Sequence, residues 1–511
     1  MKTKKIIRTL RRIVQAASAV FLLYIIWNTK YPLRSFISPE LYFYIDPFVM
    51  ILTTVAQRVI LPALLITGIT LMITAVFGRV FCGWICPLGA LMDLVAAVKS
   101  VVMKKLKKKT EQGKAAAYRI IKYFILAVLF FFALFGIQFA WVFDPITVFV
   151  RAFSFTIFPF VNRIIDKTFM VALEASDFWI PLETFYNKLR NVFLDTKIPV
   201  FFYTNIILII FICILVLVLI RKRFYCRYIC PLGGMLAAIA RFSPFKRRIT
   251  NCKDTCSVCR HRCRMNAIRT DNTYRNDECI LCLDCIADCP SGESTFAFAC
   301  FGKATEPAAG QDTMSRSSFL TASVCSVIFL LSCKKKGRFI VREKKTLIRP
   351  PGALEEAEFK KRCIRCGNCM KVCPTGVLQP ILLESGADGI WTPGFDTAVG
   401  YCEYECTLCT EVCPTRAIQP LTIEEKKKEK LGRAMILKEY CLPYAKEEDC
   451  QVCEEHCPVH NKAIKIKEKK LPGGRILNLP YVVQERCIGC ALCEFKCPAR
   501  PDKAIRVMPY V

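Results

Sequence analysis

The residues of this chain that could do chemistry are its cysteines, 32 among 511 residues. Most of them fall into six short runs between residues 252 and 497, and most of these runs end in Cys-Pro. Bacterial ferredoxins hold 4Fe–4S clusters with runs of the form Cys-x2-Cys-x2-Cys-x3-Cys-Pro. The six runs, which come in three adjacent pairs, therefore predict six 4Fe–4S clusters and a role in electron transfer.

The predicted cluster ligands are the four cysteines of each run. They are Cys252, Cys256, Cys259, Cys263, Cys279, Cys282, Cys285 and Cys289 in the first pair, Cys363, Cys366, Cys369, Cys373, Cys402, Cys406, Cys409 and Cys413 in the second, and Cys441, Cys450, Cys453, Cys457, Cys487, Cys490, Cys493 and Cys497 in the third. In two-cluster domains the fourth cysteine of each run serves the other cluster. We therefore expect Cys289 to join the run that begins at Cys252, Cys263 to join the other run, and the later pairs to cross likewise.

Structural zinc is the alternative ligand for paired Cys-x2-Cys motifs. A zinc site needs four ligands from two such pairs, whereas here a third and a fourth cysteine follow repeatedly at fixed spacing. The spacing is irregular only between the first and second cysteines of a run. Cys252 and Cys402 are each followed by one extra residue, and Cys441 lies far ahead of its partners. The pattern favours iron–sulfur clusters over zinc, least strongly for the run that begins at Cys441.

Two further cysteine pairs, Cys82/Cys86 and Cys226/Cys230, lie in matching Cys-x3-Cys-Pro-Leu-Gly motifs. Each motif directly follows an apolar stretch, and each copy is preceded by an Asp-Pro dipeptide, so the first 249 residues read as an internal duplication. The i, i+4 spacing places two thiols on one face of a helix, which the following proline would end. If the copies pack as partners, four thiols could meet and bind a metal or a cluster, or work as a redox pair; the alternative is a structural turn.

Four apolar stretches approach the length of about 20 residues that a bilayer requires. They cover residues 13–27, 48–77, 120–140 and 198–220, and a fifth covers 318–332. Lysine and arginine runs follow several of them and contribute to a net charge of +31. Cytoplasmic loops are enriched in these residues, so this placement predicts a multi-pass protein of the bacterial cytoplasmic membrane rather than a nucleic-acid-binding one. The loops with Asp46 and Asp144 would then face outward.

The fold expected is an α-helical membrane domain of four spans, or five, with α+β bacterial-type ferredoxin domains that each hold two clusters. The expected boundaries are 1–249 for the membrane domain, 250–301 for the first ferredoxin domain, 302–349 for a linker, and 350–425 and 426–511 for the second and third ferredoxin domains. Residues 151–197 form an aromatic-rich insert in the second copy.

Three polar residues in the membrane half have open interpretations. Asp46-Pro47 and Asp144-Pro145 fit a helix N-cap followed by proline at the first helical position. The alternative is that these carboxylates accept protons from quinol. Arg58 lies inside an apolar run, where a charged residue is a functional candidate, although a snorkelling or re-entrant position explains it equally well.

Other cofactors have no matching motif. All three histidines lie at or after residue 261, so the membrane half has no pair for haem, and Cys-x-x-Cys-His is absent. Glycine patterns typical of nucleotide binding are missing as well. No catalytic residue beyond the electron carriers can be named.

The duplicated Cys-x3-Cys-Pro-Leu-Gly motifs with a ferredoxin pair behind them resemble the membrane ferredoxin subunit of periplasmic nitrate reductase systems, the NapH type. Relatives occur among nitrous oxide reductase regulators, whose flavin-attachment domain is missing here, and methylamine utilisation proteins. This resemblance covers about residues 1–300. From Met314 onward the chain resembles the soluble partner of that subunit, the NapG/MauM type, on the segment 349–359, which reads RPPGALEEAEF. The chain thus looks like a fusion of the two.

The resemblance implies that electrons pass from the membrane quinol pool through the clusters to a reductase or another redox partner. It also implies that the last two ferredoxin domains are periplasmic and the first is cytoplasmic. The segment 315–320, which matches the partner's export signal, lacks the second arginine, and the lysines at 334–336 argue against export. A different hypothesis is a maturation or metal-reducing factor that uses the membrane cysteines.

Overall fold

A computed structural model describes residues 2–33, 37–105, 117–176, 179–192, 200–249, 252, 256–269, 273–298, 347–472 and 474–510. The chain forms two compact units. The first comprises Met1–Ile26, Glu40–Phe153 and Asn205–Lys335, and the second comprises Trp27–Pro39, Ser154–Thr204 and Lys336–Val511. The predicted fifth apolar stretch and nearly all of the predicted linker lie outside the described residues.

The order of helices repeats within the first 240 residues. In chain order the helices are α1 (Lys2–Asn28), α2 (Leu41–Tyr44), α3 (Pro47–Gln57), α4 (Leu64–Phe77), α5 (Pro87–Lys105), α6 (Ile120–Leu134), α7 (Ala140–Phe143), α8 (Pro145–Ala152), α9 (Phe158–Ala175), α10 (Ile180–Val192), α11 (Thr204–Ile220), α12 (Phe224–Tyr228) and α13 (Pro231–Ala240). Helices α1 to α4 correspond in order to α6, α7, α8 and α11, the π-helical segment Phe81–Ile85 corresponds to α12, and α5 corresponds to α13. Helices α9 and α10 form the insert of the second copy. Short π-helical segments cover Phe81–Ile85 and Phe153–Ile157.

The apolar stretch 48–77, within which a span is predicted, is interrupted at Arg58. Helix α3 ends at Gln57, and Arg58 takes a left-handed conformation (φ 58°) while its N–H caps the Thr54 carbonyl. Proline at 62 precedes α4, and the break leaves Arg58 exposed. This apolar stretch therefore folds as two short helices, and Arg58 is the residue that ends the first of them.

Two helices in the described part of the chain are long and apolar enough to cross a membrane. They are Ile6–Asn28, with 23 residues, and Pro145–Ala175, with 31 residues, in which α8, the π-helical segment and α9 run on continuously. The stretches 120–140 and 198–220 form shorter helices, α6 and α11. At a rise of 1.5 Å per residue, α11 with its 17 residues is about 26 Å long. Four membrane spans therefore stay a prediction.

The first ferredoxin domain packs on the helices of its own unit. It contains an antiparallel pair of strands, β1 (Phe245–Ile249) and β2 (Ser294–Phe298), and the short helices α14 (Val258–Arg262) and α15 (Asp284–Ala287). Glu278 of this domain is buried and bonds Lys122 Nζ of α6 at 2.6 Å and Arg79 at 3.4 Å. Burial acts to raise the pKa of Glu278, but the two cations outweigh it and the pKa lies below its ordinary value.

The second and third ferredoxin domains belong to the second unit. Their elements are α16 (Glu356–Arg362), α17 (Asn368–Val372), β3 (Leu378–Pro380), β4 (Pro393–Phe395), α18 (Leu408–Glu411), α19 (Ile423–Lys428), β5 (Arg433–Ile436), α20 (Leu442–Ala445), α21 (Val452–Glu455), β6 (Ile464–Lys470), β7 (Ile476–Val482), α22 (Leu492–Lys496) and β8 (Ile505–Met508). Antiparallel pairs join β3 to β4, β5 to β8 and β6 to β7. Ile348 and Phe395 pack into the core of the third domain, so these two domains share part of a core.

Gly83 marks the closest approach between the first ferredoxin domain and the helices beneath it. A Cβ atom at this position would lie 2.0 Å from the carbonyl oxygen of Ile280, between two predicted cluster ligands. Gly68, in α4, has open space where its Cβ would be. Of these two glycines, only Gly83 is required by packing.

We expect Gly83→Ala to lower the thermal unfolding midpoint of the purified protein, since the added methyl group must push backbone apart at a cost of about 1–3 kcal/mol. Gly68→Ala is the matched control, and its midpoint should be unchanged or higher because alanine is the better helix former by about 1 kcal/mol. Equal midpoints for the two variants would show that the domain does not pack on Gly83 as described.

Candidate iron–sulfur sites

The structure brings the cysteines of each ferredoxin pair together in crossed groups. The thiols that interact electrostatically are Cys252, Cys256 and Cys259 with Cys289; Cys279, Cys282 and Cys285 with Cys263; Cys363, Cys366 and Cys369 with Cys413; Cys402, Cys406 and Cys409 with Cys373; Cys441, Cys450 and Cys453 with Cys497; and Cys487, Cys490 and Cys493 with Cys457. In each group the fourth thiol comes from the other run of its pair. This arrangement is the one that two-cluster ferredoxins use.

Three of these groups surround a small cavity with four thiols each. Cys363, Cys366, Cys369 and Cys413 line one, Cys441, Cys450, Cys453 and Cys497 line another, and Cys457, Cys487, Cys490 and Cys493 line the third. The remaining lining is largely apolar, with residues such as Ile505, Ala434 and Ile418. Within the described residues, no three His, Cys, Asp or Glu side chains are grouped so as to hold one metal ion. A cubane has one thiolate on each of its four irons, so its ligands need not converge on a single ion.

Backbone N–H groups point at several of the sulfur atoms. Leu281 N lies 3.3 Å from Cys279 Sγ, Ala267 N lies 3.2 Å from Cys263 Sγ, and Ala434 N lies 3.4 Å from Cys487 Sγ. Hydrogen bonds to sulfur and limited solvent access are two ways in which a protein sets a cluster potential. The loops therefore offer thiols, N–H donors and an apolar shell, which is the chemistry a 4Fe–4S cluster needs.

Burial raises the pKa of many of the ligand thiols, so that they stay protonated when no metal is bound. It raises the pKa of Cys279 and of Cys490 to about 11 and that of Cys453 to about 12. Metal ligation requires the deprotonated thiolate, so a bound metal replaces these protons. The buried groups thus suit a cationic iron centre.

The second and third domains meet at their cluster ligands. Cys402 N donates to the carbonyl oxygen of Cys490 at 2.8 Å, and the two thiols interact electrostatically. The rings of Tyr401 and Phe495 pack beside them, 5.6 Å apart. The cluster sites at Cys402 and at Cys490 are therefore neighbours across a direct backbone contact.

Within the first unit the four cysteines of the two Cys-x3-Cys-Pro-Leu-Gly motifs also meet. Cys82, Cys86, Cys226 and Cys230 interact with one another, and each side chain is only 4% to 8% exposed. Cys86 precedes α5, and Cys230 is the N-cap of α13, where its sulfur accepts from Gly233 N at 3.3 Å. We call these four side chains the four-thiol site.

Two arginines that sequence reasoning missed hold the four-thiol site together. Arg79 and Arg223, both buried, stand three residues before Cys82 and Cys226. The Arg79 guanidinium lies 3.9 Å from Cys82 Sγ, and Arg223 donates to the Cys82 carbonyl at 2.8 Å. Because an arginine stands three residues before the first cysteine of each motif, aligning the two copies would have identified both arginines. They place two positive charges beside thiols that would be negative as ligands.

Both motifs also contact one ferredoxin site, that of Cys279 and its partners. Trp84 Nε1 donates to the Leu281 carbonyl at 2.9 Å, within the ligand loop. Arg227 donates to the Arg264 carbonyl at 3.0 Å, next to Cys263. The four-thiol site and this cluster site are therefore adjacent.

The Asp-Pro motifs are helix N-caps. Asp46 accepts from Phe48 N at 3.0 Å and Asp144 accepts from Thr147 N at 2.6 Å, with proline first in each helix. The N-cap interpretation is thereby confirmed. Both lie near the four-thiol site, since Tyr225 interacts with Asp144 and with Cys230. The expectation that these loops face outward stays a prediction.

Comparisons with known families agree with this geometry. A family described as a 4Fe-4S binding domain matches residues 59–109 and 205–250, which hold the two Cys-x3-Cys-Pro-Leu-Gly motifs. The NosR family matches residues 250–293, and a second family described as a 4Fe-4S binding domain matches residues 359–379. No solved structure matches the chain significantly.

Individual relatives include ferredoxin-type proteins and a regulatory protein. The methylamine utilization ferredoxin-type protein MauM of Methylophilus methylotrophus is 37% identical over 32% of this chain and 71% of its own length. The ferredoxin-type protein NapG of Escherichia coli is 34% identical over 32% of this chain and 70% of its own. The regulatory protein NosR of Stutzerimonas stutzeri is 29% identical over 41% of this chain and 23% of its own.

The crossing of ligands can be tested by two multiple replacements in the second ferredoxin domain. Replacing Cys402, Cys406 and Cys409 by serine should remove one cluster, or about four irons per chain. Replacing Cys413 as well should reduce the iron further, because Cys413 belongs to the other site. Iron and acid-labile sulfide are measured on anaerobically purified protein. Identical iron losses in both variants would contradict the crossed assignment.

Proposed function

The chain belongs to the ferredoxin-type family of MauM and NapG, and from this premise we propose that it is a membrane-bound conduit that takes electrons from quinol and passes them through 4Fe–4S clusters to a redox partner. That it is an iron–sulfur electron-transfer protein follows from the family. Quinol as donor, six clusters and an embedded first half are our proposal. They are supported by the resemblance to NapH-type subunits and by the two helices of membrane-spanning length.

The observation that carries the proposal is the contact between the four-thiol site and the neighbouring ferredoxin site. Trp84 and Arg227 bond the ligand loops of that site directly, and Gly83 has no room for a side chain there. Such close packing suits electron transfer from an embedded donor site to the first soluble cluster. When loaded, each site would supply a one-electron carrier.

The second unit supports the same function. Two sites there share the Cys402–Cys490 contact, and all of their thiols belong to crossed groups. A glycine in the ligand loop of the second domain, Gly367, packs against Phe155 of the aromatic insert, where a Cβ would lie 2.1 Å from the ring. The ligand loop of the second domain therefore packs closely against the aromatic insert. In the first unit, the ligand loop with Ile280 packs against Gly83 in the same way.

A maturation or metal-reducing role is the alternative function. Such a role would require the four thiols to meet an incoming metal or a partner protein. They are nearly fully buried and flanked by Arg79 and Arg223. The burial favours an internal carrier.

We expect the double variant Cys82→Ser/Cys226→Ser to reduce quinol-driven reduction of the ferredoxin clusters in membrane vesicles by at least tenfold, while dithionite still reduces them. Electron paramagnetic resonance of the reduced clusters is the measurement. Cys213→Ser is the matched control, because Cys213 is exposed on α11 and outside every motif. Quinol-driven reduction that survives in the double variant would contradict the proposal.

A further inference from the structure

The carboxyl groups of Asp46 and Asp144, one from each copy, meet in the interior of the first unit. Neither residue has exposed surface. The two side chains are within hydrogen-bonding contact of each other. One oxygen of each, Asp46 Oδ2 and Asp144 Oδ1, receives no hydrogen bond from an N–H or O–H donor in the described part of the chain.

Two ionised carboxylates cannot hydrogen-bond to each other, because neither has a proton to donate. Like charges at such short range, buried away from water, force one member of the pair to keep its proton. One shared proton would satisfy both orphaned oxygens at once. The N-cap bonds occupy the other oxygens, Asp46 Oδ1 and Asp144 Oδ2.

Two buried tyrosines connect this pair to the four-thiol site. Tyr225 interacts with Asp144 and with Cys230, and its hydroxyl donates to the carbonyl of Phe143. Tyr42 interacts with Asp46 and with Cys86, and its hydroxyl lies 3.0 Å from the carbonyl oxygen of Ile85. Each tyrosine therefore ties an Asp-Pro motif to a cysteine motif.

Among the charged groups near the pair, Arg151 interacts with Asp144, and the others described below are bonded to partners outside the pair. Arg151, on α8, interacts with Asp144 and lies over the Trp141 ring. On the helices packed against the pair, Asp93 of α5 bonds Arg223, Lys122 of α6 bonds Glu278, and Tyr44 of α2 bonds Glu40. The pair and the four-thiol site are thus the groups of this buried region whose charge can change together.

We propose that Asp46 and Asp144 hold one shared proton, and that they bind a second proton when an electron reaches an iron–sulfur cluster that Cys82, Cys86, Cys226 and Cys230 would hold. An electron added to a buried site raises the proton affinity of a neighbouring buried anion, since little solvent screens the two charges. The electron donor is the quinol of the proposed function, on which this coupling rests. One quinol gives quinone, two electrons and two protons. One electron would go to the iron–sulfur cluster of the four-thiol site while the Asp46–Asp144 pair takes one proton. The second electron passes to the ferredoxin clusters, and the second proton is released to water.

The test is infrared difference spectroscopy of the full-length protein, oxidised and then reduced with dithionite, which bypasses quinol. The oxidised protein at neutral pH should show the carbonyl stretch of a protonated carboxylic acid, and reduction should increase it. The reduction potential of the cluster at the four-thiol site should fall by about 59 mV for each tenfold decrease in proton concentration, which is the value for one proton taken up per electron.

In Asp46→Asn and Asp144→Asn the band should disappear and the pH dependence should be lost. Asparagine keeps the N-cap bond, so the fold should survive. Glu40→Gln, a partly buried carboxyl near the same motif, is the matched control. Absence of the band in the unmodified protein would overturn the shared proton, and a band that reduction does not change would overturn the coupling. If dithionite produces both the band increase and the pH dependence but quinol does not reduce the protein, quinol is not the donor. The coupling between the electron and the proton would still hold.

Discussion

The structure depends on one constraint, namely that a cubane takes its fourth thiolate from a distant part of the chain. In the second domain Cys413 must reach the loop of Cys363, and Cys373 must reach the loop of Cys402. Neither site can be complete until both runs have folded against each other. Bound clusters would tie the two runs of each pair together, so cluster binding would contribute to the free energy of folding of these domains.

In the first unit the related constraint is that buried charged groups must be compensated by partners of opposite charge. Its duplicated copies bring four thiols, two arginines and two carboxyl groups into one region with little exposure. Buried charges are stable only in compensated arrangements. Arg223 satisfies Asp93 as well as the Cys82 carbonyl, and Glu278 joins the ferredoxin domain to Arg79 and Lys122. The contacts that hold the domain in place are therefore also those that set the electrostatics of the sites.

Cysteine spacing predicted the six ligand runs and the crossing pattern, since each follows from rules that hold for any bacterial ferredoxin. The Asp-Pro caps were predictable as well, because capping is local. Relations in three dimensions could not be predicted in this way. The helix ends at Arg58 within a stretch that is apolar throughout by hydropathy, and no local feature of the sequence indicates that Asp46 meets Asp144. The two buried arginines could have been found by aligning the copies. Their contacts with the opposite copy required the fold.

The most direct measurement is the iron and acid-labile sulfide content of protein purified without oxygen, together with its zinc content. We expect iron and sulfide in equal amounts, about four of each for every cluster held, with the visible absorption of cubanes. Protein that holds zinc on these cysteines and contains no sulfide would contradict this prediction.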